Sequence, residues 1–159
     1  MTNHSDKTNF DLDRFLPYRL NRLADQVSEQ LAHLYESSYA LNIAQWRVLA
    51  WLSQHKVLTA KQIREATRMD KARVSRAVQS LVERELVSRS TNSQDQRAHH
   101  LRLTATGQAL LEELLPEAQA WEADLLTALS AAERTALLNA MAKLERALGY
   151  PATADPETR

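Results

Sequence analysis

TAKQIREATRMDKARVSRAVQSLVERELVSRSTNSQDQRAHHLRLT, residues 59–104, is the stretch whose pattern decides the fold. Thr59, followed three residues later by Gln62, forms a capping box that opens a short helix to about Thr67. Asp70 caps another helix to about Arg84, with Val74, Ala77, Val78 and Leu81 on its inward side. The break between them is short. Residues 86–90 and 100–103 then alternate apolar and polar side chains, the period of a half-buried hairpin, around a polar loop at about 91–99. Helix, tight turn, helix and hairpin is the order of a winged helix-turn-helix, which lays its second helix in a DNA major groove and its loop beside it.

Charge supports that order. Residues 59–104 carry ten Lys/Arg against five Asp/Glu, whereas residues 105–148 carry three against seven. The whole chain of 159 residues is neutral, so the basic middle is a local feature, as a phosphate-binding face requires. A solvated helix face produces the same charge run.

On the N-terminal side, Asp11 or Asp13 is placed to cap a long first helix to about Ser37, with Pro17 in its first turn. Its apolar stripe is Leu16, Leu20, Leu23, Val27, Leu31 and Leu34. About 25 residues is long for a globular helix and suits a bundle or subunit interface. Asn42 and Gln45 form a capping box for a second helix at about 43–54. On the C-terminal side, Thr104 caps a fifth helix of similar length, interrupted at Pro116, where a kink is expected. Ser130 and Glu133 open a last helix that stops at Gly149, with Pro151 beyond. Residues 1–10 and 150–159 read as flexible tails.

Composition removes several alternatives. Gly107 and Gly149 are the only glycines, so neither a Gly-rich phosphate loop nor a dinucleotide fingerprint is available. Cysteine is absent, which excludes disulfides and thiolate metal sites. The five histidines lack ligand spacing, and the adjacent His99 and His100 point to opposite sides of a strand, so neither a metal nor another cofactor is expected. No catalytic triad or carboxylate pair stands out, and Glu112, Glu113 and Glu117 read as solvated charge; an enzyme is not expected. No apolar run is long enough for a membrane span, and the polar start does not fit a signal peptide, so a cytoplasmic protein is expected.

The fourth helix would project Lys71, Arg73, Ser75, Arg76 and Gln79 on one broad face. Arginine reaches guanine O6 and N7, and glutamine pairs with adenine; Ser75 and Arg76 can equally hold phosphates. Asp70 reads as a cap rather than a base contact. In the loop, Arg97 is suited to the negative potential of an adjacent minor groove, and Asp95 to pinning the loop.

From Asp11 to Gly149 the chain resembles the MarR family of transcriptional regulators, named for multiple antibiotic resistance. The resemblance is carried by QWRVLAWL (45–52), residues 59–89, the D-x-R of the wing (95–97) and LTATG (103–107). It implies a mainly α fold with a small β-hairpin wing: a winged helix-turn-helix at 38–104, and long helices at 11–37 and 105–149 that form a homodimer. It implies a palindromic operator in double-stranded DNA, contacted by Lys71, Arg73, Ser75, Arg76 and Gln79, with Asp95 and Arg97 at the wing. One departure is Glu85, where the family usually has glycine before the Leu-Val that opens the wing; a positive φ there would carry a cost.

The resemblance further implies repression relieved by a small aromatic carboxylate, such as indole-3-acetic acid or a hydroxycinnamate, as in branches controlling aromatic-acid catabolism. The pocket it implies lies among the first, second and fifth helices, with Tyr18, Arg19, Arg22, Trp46, Arg47 and Trp51 as candidates. Arginine beside tryptophan suits such a ligand, because the ring stacks and the guanidinium forks the acid. Trp46 equally suits the core, and Arg19 or Arg22 a surface ion pair. A helical dimer that binds no specific DNA is the competing reading; a steep fall of DNA affinity with salt separates the two.

Overall fold

A computed structural model describes residues 10–91 and 99–149. The expected tails, apart from Phe10, lie outside the described residues, as do Asp95 and Arg97. The elements are α1 (Leu16–Tyr39), α2 (Ile43–Gln54), β1 (Leu58–Thr59), α3 (Ala60–Thr67), α4 (Lys71–Glu83), β2 (Val87–Thr91), β3 (His99–Leu103), α5 (Ala105–Leu125) and α6 (Ala131–Ala147). The chain divides into two compact units, at 1–118 and 119–159.

The first unit holds the core. Val48, Leu49, Ile63, Val74, Val78, Leu81, Leu101, Leu111 and Leu114 are sealed from solvent, drawn from α2, α3, α4, β3 and the start of α5. The start of α1 differs from expectation. Asp11 accepts the amide of Asp13 and caps a separate 3₁₀ turn, Leu12–Arg14; α1 then begins after Phe15, with no side-chain cap. Pro17 explains the break, because its ring excludes the helical conformation for the residue before it except at a helix start. At the other end α1 continues past Ser37 to Tyr39 and stops where Ala40 turns left-handed, at φ 50°.

The capping boxes form as their spacing requires. The Asn42 side chain accepts the Gln45 amide at 3.0 Å, and the Gln45 side chain accepts the Asn42 amide at 2.8 Å. Thr59 and Gln62 reciprocate in the same way at α3. Arg68, at φ 56°, ends α3, and Met69 drops into the core, so the helix-turn-helix break is anchored by a buried side chain.

The sheet has three strands in the order β1-β3-β2, one more than the hairpin the sequence suggests. Leu58 pairs with Leu101 and Thr59 with His100. Two residues cannot display an alternating pattern, so β1 is invisible to periodicity. Val87 pairs with Leu103 and Thr91 with His99, which sets β2 and β3 one residue off the expected bounds.

Glu85 takes φ 57° where the family has glycine. Its amide donates to the Val82 carbonyl at 3.0 Å and the Leu86 amide to that of Leu81 at 2.9 Å. This is the Schellman pattern, and Leu81 and Leu86 supply its apolar contact, since both are buried. The Thr104 hydroxyl also donates to the Glu85 carbonyl. The strained residue is thus held from both sides. Gly107 is required for a different reason: a Cβ there would lie 2.0 Å from the Leu86 carbonyl oxygen, so α5 leaves against the backbone that opens the wing.

Thr104 accepts the Gly107 amide at 3.0 Å and caps α5. The helix is continuous through Pro116, and a 3₁₀ turn, Leu126–Ala128, follows Leu125. In the second unit, Ser130 and Glu133 close their capping box. The hydrogen bonds from the Ser130 hydroxyl and amide hold the Glu133 carboxyl below its ordinary pKa. None of the α6 side chains is buried, and Gly149, at φ 79°, lies just past its end.

Candidate nucleic-acid interface

The division of faces on α4 follows from its 3.6-residue period. Val74, Ala77, Val78 and Leu81 are buried, while Lys71, Arg73, Ser75, Arg76 and Gln79 are exposed. Asp70 accepts the Arg73 amide at 2.8 Å, which fixes the helix start and occupies one carboxylate oxygen. Lys71, Arg73 and Arg76 enter no ion pair among the described residues. Three cations therefore stand on one solvent-facing side of α4, outside any ion pair among the described residues, the condition under which neutralising a phosphate releases counterions. Gln79 is different: its amide donates to the Glu83 carboxylate at 2.7 Å, so one of its donors is occupied.

The rest of the surface is assembled around α4. Gln45 is buried and donates from its side-chain amide to the Ser80 hydroxyl at 2.8 Å, tying α2 to α4. Sequence reasoning found Gln45 as a cap but missed this bond, which has no signature in spacing. A groove of about 430 Å³ runs between the first turn of α2 and α4; Arg73 and Arg76 line it, with Glu36 and Asn42 also on its walls. Arg89 on β2 and Arg102 on β3 are exposed, and their pairing with Leu101 and Ser88 puts them on opposite faces of the sheet. Neither was singled out from the sequence, because alternation shows that a strand side chain is outward but not what it faces.

The six candidate effector residues fall into two groups. Tyr18, Arg19 and Arg22 are exposed in the first two turns of α1, and Arg22 pairs with Asp13 at 3.5 Å. Trp46 stacks on the buried Tyr35, with ring centroids 5.5 Å apart and planes at 18°. Burial and the charge of Glu36 raise the Tyr35 pKa, and the Arg47 charge opposes them. Trp51 is exposed and stacks on His55 at 5.6 Å. Tyr35 lies about 20–25 Å along the helix from Tyr18 and Arg22, at 1.5 Å per residue. One protomer therefore does not bring Trp46 up against the α1 arginines.

The geometry of this surface has close relatives. A family model described as the MarR family matches residues 41–98. The transcriptional repressor NicR of Pseudomonas putida is 30% identical over 132 residues, covering 74% of this chain and 84% of NicR. A MarR/EmrR family regulator from Acinetobacter sp. ADP1 superposes with a TM-score of 0.78 at 27% identity, over 88% of this chain and 99% of its own. BpsR of Bordetella bronchiseptica, whose DNA binding is regulated by 6-hydroxynicotinic acid, superposes with a TM-score of 0.75 at 26% identity, over 86% of this chain and 96% of its own. Members of this family are transcriptional regulators rather than enzymes. A winged helix-turn-helix whose α4 turns cations to solvent outside any ion pair among the described residues, in a chain matched across most of its length by such proteins, is a DNA-binding regulator, and this chain belongs to the MarR family.

Proposed function

We propose that the protein is a homodimeric repressor that binds a near-palindromic operator and is released by a small aromatic carboxylic acid. The observation that carries the reading is the face of α4, on which Lys71, Arg73, Ser75, Arg76 and Gln79 are all exposed over a buried apolar side. In this reading Arg73 forks a guanine edge from the first turn of α4, and Lys71, Ser75 and Arg76 hold flanking phosphates. Gln79 reaches an adenine once its bond to Glu83 is exchanged. Arg97 enters the minor groove beside the wing, and Asp95 holds the loop that presents it.

The dimer would be formed by residues 11–37 and 105–149. Twelve large apolar side chains in these segments, and Phe10 just before them, are exposed, among them Leu16, Leu20, Leu23, Leu137, Leu138, Met141, Leu144 and Leu148. Each is about half exposed, so covering it contributes roughly 1 kcal/mol. Two reading helices held about 34 Å apart would then engage successive major grooves.

The effector site is proposed to be completed between protomers, where Tyr18, Arg19 and Arg22 of one chain can approach Trp46, Arg47 and Trp51 of the other. Similarity to BpsR, whose DNA binding is regulated by 6-hydroxynicotinic acid, supports an aromatic acid as its class. Release requires the acid to bind the non-DNA geometry more tightly; a preference of about 100-fold supplies about 2.7 kcal/mol of coupling.

Titration of the purified protein against DNA from upstream of its own gene tests this, at two salt concentrations and with indole-3-acetic acid, a hydroxycinnamate or 6-hydroxynicotinic acid added. Saturable, salt-steep, sequence-selective binding relieved by one acid is expected. Selective binding that no acid relieves would remove the effector half. Absence of selective binding in every condition would overturn the operator reading and leave a helical interaction protein.

A further inference from the structure

Arg84 sits at the C-terminal end of α4, just beyond the reading face. Its two terminal nitrogens donate to the last carbonyls of the α1 segment, Nη1 to Ala40 and Nη2 to Tyr39, each at 2.8 Å. Helix ends leave such carbonyls without intrahelical partners, and a cation there also meets the negative end of the helix dipole. Tyr39 carries the connection one step further, since its hydroxyl donates to the Glu117 carboxylate of α5 at 3.1 Å. One guanidinium and one tyrosine thus join the C-terminal ends of α4 and α1 to the middle of α5. Direct packing between α1 and α4 is sparse, because α4 packs on α2, α3 and β2. The side-chain clasp is therefore a principal direct tie between the reading helix and the helix that carries the exposed Leu16, Leu20 and Leu23.

We propose that Arg84 is a positioning residue: through Tyr39 and Glu117 it fixes the angle of α4 on α1, and so sets the half-site spacing the regulator accepts. The inference rests on the dimeric reading above. In a two-fold dimer a small rotation of α4 against α1 is doubled across the axis, and one inserted base pair moves the half-sites by about 3.4 Å and 36°. A loosened clasp lets both heads adjust, so spacing preference flattens even where the reading face is intact.

The experiment uses the full chain and a duplex selected by it from random sequence, together with the same duplex carrying one or two base pairs inserted between half-sites. Wild-type affinity is expected to fall about ten-fold or more per inserted pair, the scale of a lost or misplaced contact set. In Arg84→Ala the fall is expected to shrink to about three-fold, with Arg84→Lys in between because it keeps one donor. Tyr39→Phe and Glu117→Ala remove only the distal bond, leave the core untouched, and should flatten the preference partially. Loss by a common factor on all three duplexes would overturn the inference and leave Arg84 a stabilising side chain. A wild-type protein that sediments as a monomer, or that binds single half-sites equally well, would overturn the dimeric reading itself and is told apart from the first failure by sedimentation.

Discussion

α4 and α6 are both amphipathic by sequence, yet they stand in opposite conditions. α4 buries Val74, Ala77, Val78 and Leu81 within its own unit and turns its cations outward. α6 buries nothing, and Leu137, Leu138, Met141 and Leu144 lie open along it. Exposed charge is satisfied by water until a polyanion arrives, so α4 is complete in one chain. Exposed hydrocarbon has no such stopgap, and in the proposed dimer α6 is covered by another surface. The same contrast exists inside α1, whose C-terminal half buries Ala32 and Tyr35 while Leu16, Leu20 and Leu23 stay exposed. In the proposed reading the difference separates a surface that exchanges partners from one that keeps one.

The largest expected effect comes from breaking the second kind of surface. Leu138→Glu combined with Met141→Glu should convert dimer to monomer in sedimentation. Operator affinity should fall by about 100-fold or more, as the second head loses its tether to the first. Helical content should hold, because neither side chain is buried within the chain. Persistence of a dimer with full affinity would mean that α6 is not the interface, and the contrast would fail at its C-terminal end.

A smaller effect is expected from the reading face. Arg73→Ala and Arg76→Ala should each weaken operator binding by about ten- to a hundred-fold, in the range of one good base or phosphate contact. The dimer should remain intact, and thermal unfolding should be unchanged, since both side chains are exposed. Dissociated or unfolded variants would show that the two surfaces are not independent.

The smallest effect sharpens the boundary between reading and scaffolding. Glu85→Gly relieves a left-handed residue at φ 57° and lies outside the reading face. It should stabilise by about 1 kcal/mol, less the added freedom of the unfolded chain, and raise Tm by about 2 °C. Operator affinity should be unaltered within two-fold. A lower Tm would mean that the Glu85 side chain contributes contacts beyond its backbone role.

Much of this molecule was legible because its signals are local. A capping box needs only four residues, so Asn42–Gln45, Thr59–Gln62 and Ser130–Glu133 could be read directly and appear in place. The division of α4 into a buried and an exposed side follows from helical period alone. Where the reading slipped, a non-local partner decided. β1 exists because β3 passes beside Leu58 and Thr59. The start of α1 moved because two adjacent signals, Asp11 and Pro17, compete, and the chain resolves them into a 3₁₀ turn followed by a helix. Asp95 and Arg97, which the sequence reading assigns to the wing, lie outside the described residues.

By itself the sequence determined the order of the six helices, the helix that presents cations and the side on which it presents them, since all three depend on spacing along one chain. Tertiary structure decided the rest. It placed Gln45 under Ser80, Arg84 on the last carbonyls of α1 and Gly107 against Leu86, and it held Trp46 on Tyr35 rather than beside the α1 arginines. Those contacts join residues between 11 and 45 positions apart. No period runs across such intervals, and only a folded core brings their ends together.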